Sequence, residues 1–309
     1  YYDHQNSSDI NKSIHYLTLS SNQNNSKAQY LLGQIYFYGQ HVSQDIKKAI
    51  YYLKKSSDQN NSDAQYLLGK IYYYGEYVSQ DINKAIYHLK KSSDQNNSDA
   101  QYLLGNIYYR GEYVSHDFDK SLHYLTLSAD QNNSYAQFLL GCIFYEGTYV
   151  LQDINKAIHY FNLSANQNNS NAQYYLGFIY YEGKYVLRNI NKAIHYLTLS
   201  SNDNHSYAQY LLGGIYYNGQ YISQDINKSM YYLILSANQN NSDAQSFLGF
   251  LYFGGLYIKQ DTKKSMYYFT LSANQNNPNA QYYLGLIYYC GKYISQDIKK
   301  SIYYLTLSA

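Results

Sequence analysis

His15, His123, His159 and His195 stand at multiples of 36 residues from one another, and a recurring imidazole is the first residue type here that could do chemistry. As metal ligands they fail on distance. Equivalent atoms in stacked helical repeats lie about 10 Å apart, whereas zinc needs its ligand atoms within about 2 Å. The same position holds Tyr51, Tyr87, Tyr231, Tyr267 and Tyr303 in other copies, so we expect an aromatic packing position with a polar tip. Asp45 and Lys48, repeated with the same spacing, could pass for an acid and base pair. A helix N-cap followed by a first-turn lysine accounts for them without catalysis. Cys142 and Cys290 are 148 residues apart, which gives neither a disulfide framework nor a metal-ligand spacing.

An enzyme needs unlike groups converging at one point. The chain carries no phosphate-binding loop, no dinucleotide glycine fingerprint after a strand, no His-Glu-x-x-His and no nucleophile elbow. Gly33 and Gly39 come nearest to a glycine-rich loop, but they frame a helical segment. No catalytic residue, cofactor or metal is expected.

What positions these residues is a strict period. Ala28, Ala64, Ala100, Ala136, Ala172, Ala208, Ala244 and Ala280 are each followed by Gln at an unbroken spacing of 36, and Gly33 and Lys48 recur in the same register. Repeats of this length cannot bury an apolar face alone and must stack. Ala28, Leu32, Ile35 and Tyr36 fall at i, i+4, i+7 and i+8, the mark of an amphipathic helix A over about residues 27–38. Ile46, Ala49, Ile50, Leu53 and Ser57 mark helix B over about residues 46–58. Gly39 suits the left-handed conformation that closes a helix, Asp45 the N-cap of helix B, and the Asn24 series the turn after helix B. Pro278, the only proline, fits a first helical position with Asn277 as its N-cap. Residues 1–25 read as the helix B of a preceding partial repeat, and residues 26–309 as eight tandem repeats in one continuous solenoid. The chain opens without Met and stops inside a helix B, so we expect a fragment of a longer protein.

Composition excludes other classes. Only 14% of residues are charged and the net charge is +2, which offers no nucleic-acid surface. Apolar runs fall far short of the ~20 residues that span a bilayer, so no membrane insertion is expected. The sparse, separated cysteines suit a reducing compartment and a cytoplasmic location. Asn-x-Ser sequons beginning at Asn24, Asn60, Asn96, Asn132 and Asn168 keep a lumenal alternative in view.

With Ala64, Leu68, Gly69, Tyr72, Gly75, Val78, Asp81, Lys84 and Ala85 in register, the 36-residue unit resembles the Sel-1-like repeat, a relative of the tetratricopeptide repeat. The resemblance covers nearly the whole chain. It departs where the usual helix B tryptophan is Tyr52, Tyr124 or Tyr160, and once His88, where the usual glycine after helix B is the Asn24 series, and where the second loop glycine is His41, Tyr77 or Tyr113. It implies an all-α, right-handed α/α superhelical solenoid of helix pairs, and a non-catalytic scaffold or adaptor that binds a protein or peptide. A regulatory arm of a larger signalling enzyme, kinase-linked for instance, and a component of an ER-lumenal degradation complex are the alternatives the family allows.

Six positions of the repeat hold most of the 47 tyrosines. The Tyr36 and Tyr52 series match core positions of the family. By likeness to the tetratricopeptide repeat, helix A lines a concave groove, with two aromatic stripes on its wall: Tyr30, Tyr66, Tyr102, Tyr174 and Tyr210, and Tyr73, Tyr109, Tyr181 and Tyr217. Exposed aromatics are common anchors of protein interfaces. The wall varies most at two positions of helix A. Its early copies present Gln34, Lys70, Asn106 and Arg110, suited to carbonyls and carboxylates. Its later copies present Phe178, Phe250 and Leu286, suited to an apolar anchor.

Overall fold

The computed structural model describes residues 2–39, 42–291 and 294–309, so His41 lies outside the described residues. Among these there are seventeen helices and no strand. Helix A recurs as α2 Ser26–Tyr38, α4 Ser62–Tyr74, α6 Ser98–Arg110, α8 Ser134–Glu146, α10 Ser170–Glu182, α12 Ser206–Asn218, α14 Ser242–Gly254 and α16 Pro278–Cys290. Helix B recurs as α1 Tyr2–Asn22, α3 Ile46–Asp58, α5 Ile82–Ser93, α7 Phe118–Asp130, α9 Ile154–Ala165, α11 Ile190–Asn202, α13 Ile226–Asn238, α15 Thr262–Ala273 and α17 Ile298–Leu307. The chain divides within α9 into two compact units, residues 1–163 and 164–309. Each is a stack of helix pairs, the all-α repeat architecture that the period dictates.

The ends of the helices follow from local chemistry. Asn61 caps α4 by accepting from the amide of Ala64 at 2.9 Å, and Asp81 caps α5 by accepting from the amide of Lys84 at 3.0 Å. Between α3 and α4 the chain reverses through Asn60 at φ 63°, where the Asn60 amide donates to Ser57 O at 2.9 Å and the Asn61 amide to Ser56 O at 3.2 Å. That pair of bonds is a Schellman closure. All eight asparagines of the Asn24 series adopt positive φ. Pro278 opens α16 with Asn277 as its cap.

Residues 2–22 form one helix, longer than the other copies of helix B. Asp9 is the equivalent of Asp45, yet α1 runs straight through it from Tyr2 and is 21 residues long against 13 for α3. Elsewhere the capping residue is held at its corner by the helix A of its own pair, as where the Asp45 amide donates to Tyr36 O at 2.9 Å. Residues 2–8 are themselves helical and supply no such corner, so the helix continues.

The two helices of a pair touch at a glycine. A Cβ on Gly69 would lie 2.6 Å from Leu89 Cγ, closer than any real contact, so only glycine admits this approach. Leu53, Leu68, Leu89 and Leu104, all with no exposed surface, line the resulting core in the first unit. Leu197 and Leu212, then Leu233 and Leu248, do the same in the second. Each such leucine contributes about 1.5–3 kcal/mol of burial free energy. Hydroxyls pin one pair to itself: Ser56 Oγ donates to Ser26 O, and Ser92 Oγ to Ser62 O, both at 2.7 Å.

Candidate protein-binding face

The residues expected to bind a partner lie on helix A, and their tyrosines pack against the core, with Tyr73 inside it. Gln34 Nε2 donates to the Tyr30 hydroxyl at 2.6 Å, so these two form one polar unit. Tyr30, Tyr66, Tyr102, Tyr174 and Tyr210 are half-buried, with Tyr102 leaning on Tyr135 at 5.8 Å and Tyr174 stacked on Phe178 at 6.2 Å. Burial holds the Tyr30 phenol at about 12, with Asp63 next in effect, and it also raises Tyr66, Tyr102 and Tyr210. These hydroxyls therefore stay protonated and can donate.

The second stripe has a structural duty. Tyr73 is buried, at 8% exposed, and its ring meets Tyr113 of the next loop edge-on at 6.4 Å. Tyr109 meets Tyr149 and Tyr217 meets Tyr257 in the same way, at 6.4 and 5.7 Å. Tyr109, Tyr181 and Tyr217 are half-buried. Tyr109 is pushed up to about 12 by burial and then by Glu146, whose carboxylate accepts its hydroxyl at 3.4 Å. The exposed aromatic edge lies one step outward, in the loop tyrosines Tyr77, Tyr113, Tyr149, Tyr221 and Tyr257, each about half exposed.

The variable positions differ in exposure and in their partners. Arg110 Nη1 lies 3.1 Å from Glu112 Oε1, so this guanidinium is already paired. Asn106 and Lys70 are half-exposed. Lys70 lines a cleft of about 410 Å³ with Phe37, Tyr38, Gln44, Ile71, Tyr74, Glu76 and Tyr77, so one ammonium and one carboxylate sit among three phenols. In the second unit Phe250 is 37% exposed and touches Tyr283 at 5.8 Å, while Phe178 and Leu286 are half-buried.

The helix B positions first considered for metal do not pack inward. His123, His159 and His195 are exposed, each ring edge-on to the neighbouring tyrosine at 5.2–5.4 Å. Among the described residues no group of three or more His, Cys, Asp or Glu side chains could hold a metal ion, and no helix is long and apolar enough to cross a membrane. Lys48, paired with Asp45 at 3.5 Å, also covers the Tyr36 ring at 5.1 Å, and Tyr36 stacks on Tyr52 at 6.0 Å. The lysine series is thus a lid over a stacked aromatic pair. In the second of these pairs His88 replaces the tyrosine and still stacks on Tyr72, at 5.9 Å.

One polar network was not legible from residue types alone. Gln29, Gln65 and Gln101 are buried, and each accepts at Oε1 from a glutamine 30 residues later, namely Gln59, Gln95 and Gln131, at 2.6–2.7 Å. The second unit repeats the bond between Gln239 and Gln209 and between Gln275 and Gln245. The signal was present in the invariant spacing, where it served only to set the register.

Comparison with known proteins agrees with this geometry. The crystal structure of c5321, a protective antigen present in uropathogenic Escherichia coli strains and displaying an SLR fold, matches with a TM-score of 0.86 at 30% identity, over 96% of this chain. The chain spans 63% of the length of that antigen. A Sel1 repeat protein from Oxalobacter formigenes matches with a TM-score of 0.71 at 28% identity, over 95% of this chain and 85% of that one. No curated protein matches the sequence. The model of the Sel1 repeat matches residues 6–25, 26–61, 62–97, 98–133, 134–169, 170–205, 206–241, 242–277 and 278–309, and the chain therefore belongs to the Sel1 repeat family.

Proposed function

We propose that this chain is a non-catalytic scaffold that binds an extended protein or peptide segment along its helix A face. Sel1 repeat proteins generally act as protein-interaction scaffolds and are generally non-catalytic. The observation that carries the reading for this chain is the cleft around Lys70. Its three phenols, Tyr38, Tyr74 and Tyr77, are each about half exposed beside the Lys70 ammonium and the Glu76 carboxylate, a chemistry suited to a polar side chain flanked by an aromatic or aliphatic one. The second unit offers a more apolar wall at Phe178, Phe250 and Leu286. Two cysteines 148 residues apart offer no disulfide framework, which suits a cytoplasmic location.

A displayed peptide library selected on the whole chain tests this. Selected peptides should lose binding when Tyr74→Ala or Lys70→Glu is introduced into the chain. Peptides that bind both variants as well as the parent would sink the reading and point to the helix B face or the loops.

A further inference from the structure

Seven of the eight turns from helix B to the next helix A read Gln-Asn-Asn, and one, at residues 203–205, reads Asp-Asn-His. The backbone does not register the change. Asp203 sits at φ −90°, ψ 24° where Gln59 sits at −93°, 19°, and His205 at −74°, 106° where Asn61 sits at −75°, 115°. Whatever differs at this junction is therefore done by side chains.

Two bonds change. Asp203 has no amide to donate, and the Oε1 of Gln173, which is 2% exposed, has no hydrogen-bond partner. Its counterparts Gln65 and Gln209 accept from Gln95 and Gln239. His205 then takes over the cap. Its Nδ1 accepts from the Ala208 amide at 3.2 Å, and its Nε2 lies 3.2 Å from Asn171 Oδ1 on α10. Accepting at one nitrogen and donating at the other fixes the neutral Nε2–H tautomer.

We propose that His205 makes this junction acid-labile, because protonation turns the acceptor that caps α12 into a donor. An imidazolium has two N–H groups and no lone pair, so no rotamer restores the cap, and its charge opposes the positive end of the helix dipole. Asparagine at the other seven turns has no such transition. From α10 the ring is faced by Tyr174, stacked at 4.7 Å, and by the neutral amide of Asn171. From its own helix it is faced by Tyr207 at 6.2 Å, and the nearest carboxylate in sequence is Asp203 at the end of α11. Burial disfavours the cation and outweighs the hydrogen bond to the His205 backbone that favours it, which holds the imidazole below its ordinary 6.5. The unfolded chain then takes up the proton first. Stability from the cap is complete above about 6.5 and declines as pH falls through the lower folded value. In a stack where each pair contacts only its neighbours, acid loosens the contact between the pairs at 170–205 and 206–241.

Amide exchange resolved by residue in the whole chain, from about pH 8 to about pH 5, tests this. The matching turns around Asn133 and Asn241 serve as references within the same molecule. Protection in the first turn of α12 should fall relative to both by about fivefold or more, the size expected of one lost cap. Imidazole nitrogen shifts should report the Nε2–H tautomer at neutral pH. His205→Asn, which restores the residue of the other turns, should abolish the acid step. Asp203→Gln should raise protection at every pH and leave the step in place. Equal acid loss at all three turns, persistence of the step in His205→Asn, or an Nδ1–H tautomer would each overturn the proposal.

Discussion

Gln95 donates its Nε2 proton to the buried Oε1 of Gln65, at the start of the same repeat, at 2.7 Å. The Nε2 of Gln65 in turn donates to Ser57 O at 3.3 Å and Asn60 Oδ1 at 3.2 Å, so the amide ties the end of α3, the turn and the next repeat together. Removing the donor leaves a buried acceptor dehydrated, which costs more than the bond contributes. Gln95→Ala should destabilise the first unit by about 1–3 kcal/mol, read as a lower urea midpoint with local loss of amide protection in α4. An unchanged midpoint would mean that water replaces the Gln95 amide without penalty.

Glycines at neighbouring positions should respond in opposite directions. A Cβ on Gly105 would lie 2.6 Å from Leu125 Cγ and 3.1 Å from the Leu125 backbone nitrogen, so the two helices must move apart. Gly105→Ala should cost about 1–3 kcal/mol. Gly214 is interior to α12 and meets nothing within 4 Å. Gly214→Ala should instead stabilise by about 0.5–1 kcal/mol, since it removes the entropic penalty of glycine in a helix. Thermal unfolding of the two variants separates these outcomes. Destabilisation by both would show that the helix A face of the second unit has less room than its geometry indicates.

Helix B caps should fail in acid, except one. The backbone amide and side chain of Lys48 hold Asp45 below its ordinary value, and the Lys84 ammonium and amide do the same to Asp81. A carboxylate depressed in the folded state contributes stability that is complete above the unfolded value and is lost as pH falls through the lower folded value. The first turns of α3 and α5 should therefore lose amide protection below about pH 4. The cap of α11 is Asn189, which accepts from the Lys192 amide at 3.0 Å and does not titrate there, so α11 should be insensitive over that range. Equal acid sensitivity in α5 and α11 would assign the effect to the core and not to the caps.

Most of this fold was legible because one short pattern, reiterated, leaves few readings. Ala28, Leu32 and Leu53 at helical spacing name the core, Gly39 and Asn60 require left-handed turns, and Pro278 dates the start of a helix. Legibility failed where a side chain has two possible neighbours. Tyr73 and Tyr77 are both aromatic and four residues apart, and nothing in their spacing says that Tyr73 is buried against the next loop while Tyr77 is half exposed. Arg110 reads as a free cation until the following loop brings Glu112 to 3.1 Å. The length of α1 was not legible in the period, because an aspartate such as Asp9 caps a helix only beside the helix that holds the corner.

The last expectation concerns how the two units would hold a ligand. Lys70 is the cation of the Tyr38, Tyr74 and Tyr77 cleft, whereas the Arg110 guanidinium is engaged by Glu112, so a charge-assisted contact in the first unit should depend on Lys70 far more than on Arg110. Against a peptide selected on the whole chain, Lys70→Ala should weaken binding at low salt and matter progressively less as salt is raised, because an exposed ion pair is screened over about 10 Å at 0.1 M. Arg110→Ala should change little. Phe250, the most exposed ring of the apolar wall in the second unit, has no charge to screen. Phe250→Ala should raise the off-rate at every salt concentration, costing about 2 kcal/mol if the ring is an anchor. Surface-plasmon kinetics for the three variants over a salt series decide the matter. Salt dependence that tracks Arg110, or an off-rate untouched by Phe250→Ala, would mean that the variation at these positions along helix A does not discriminate ligands.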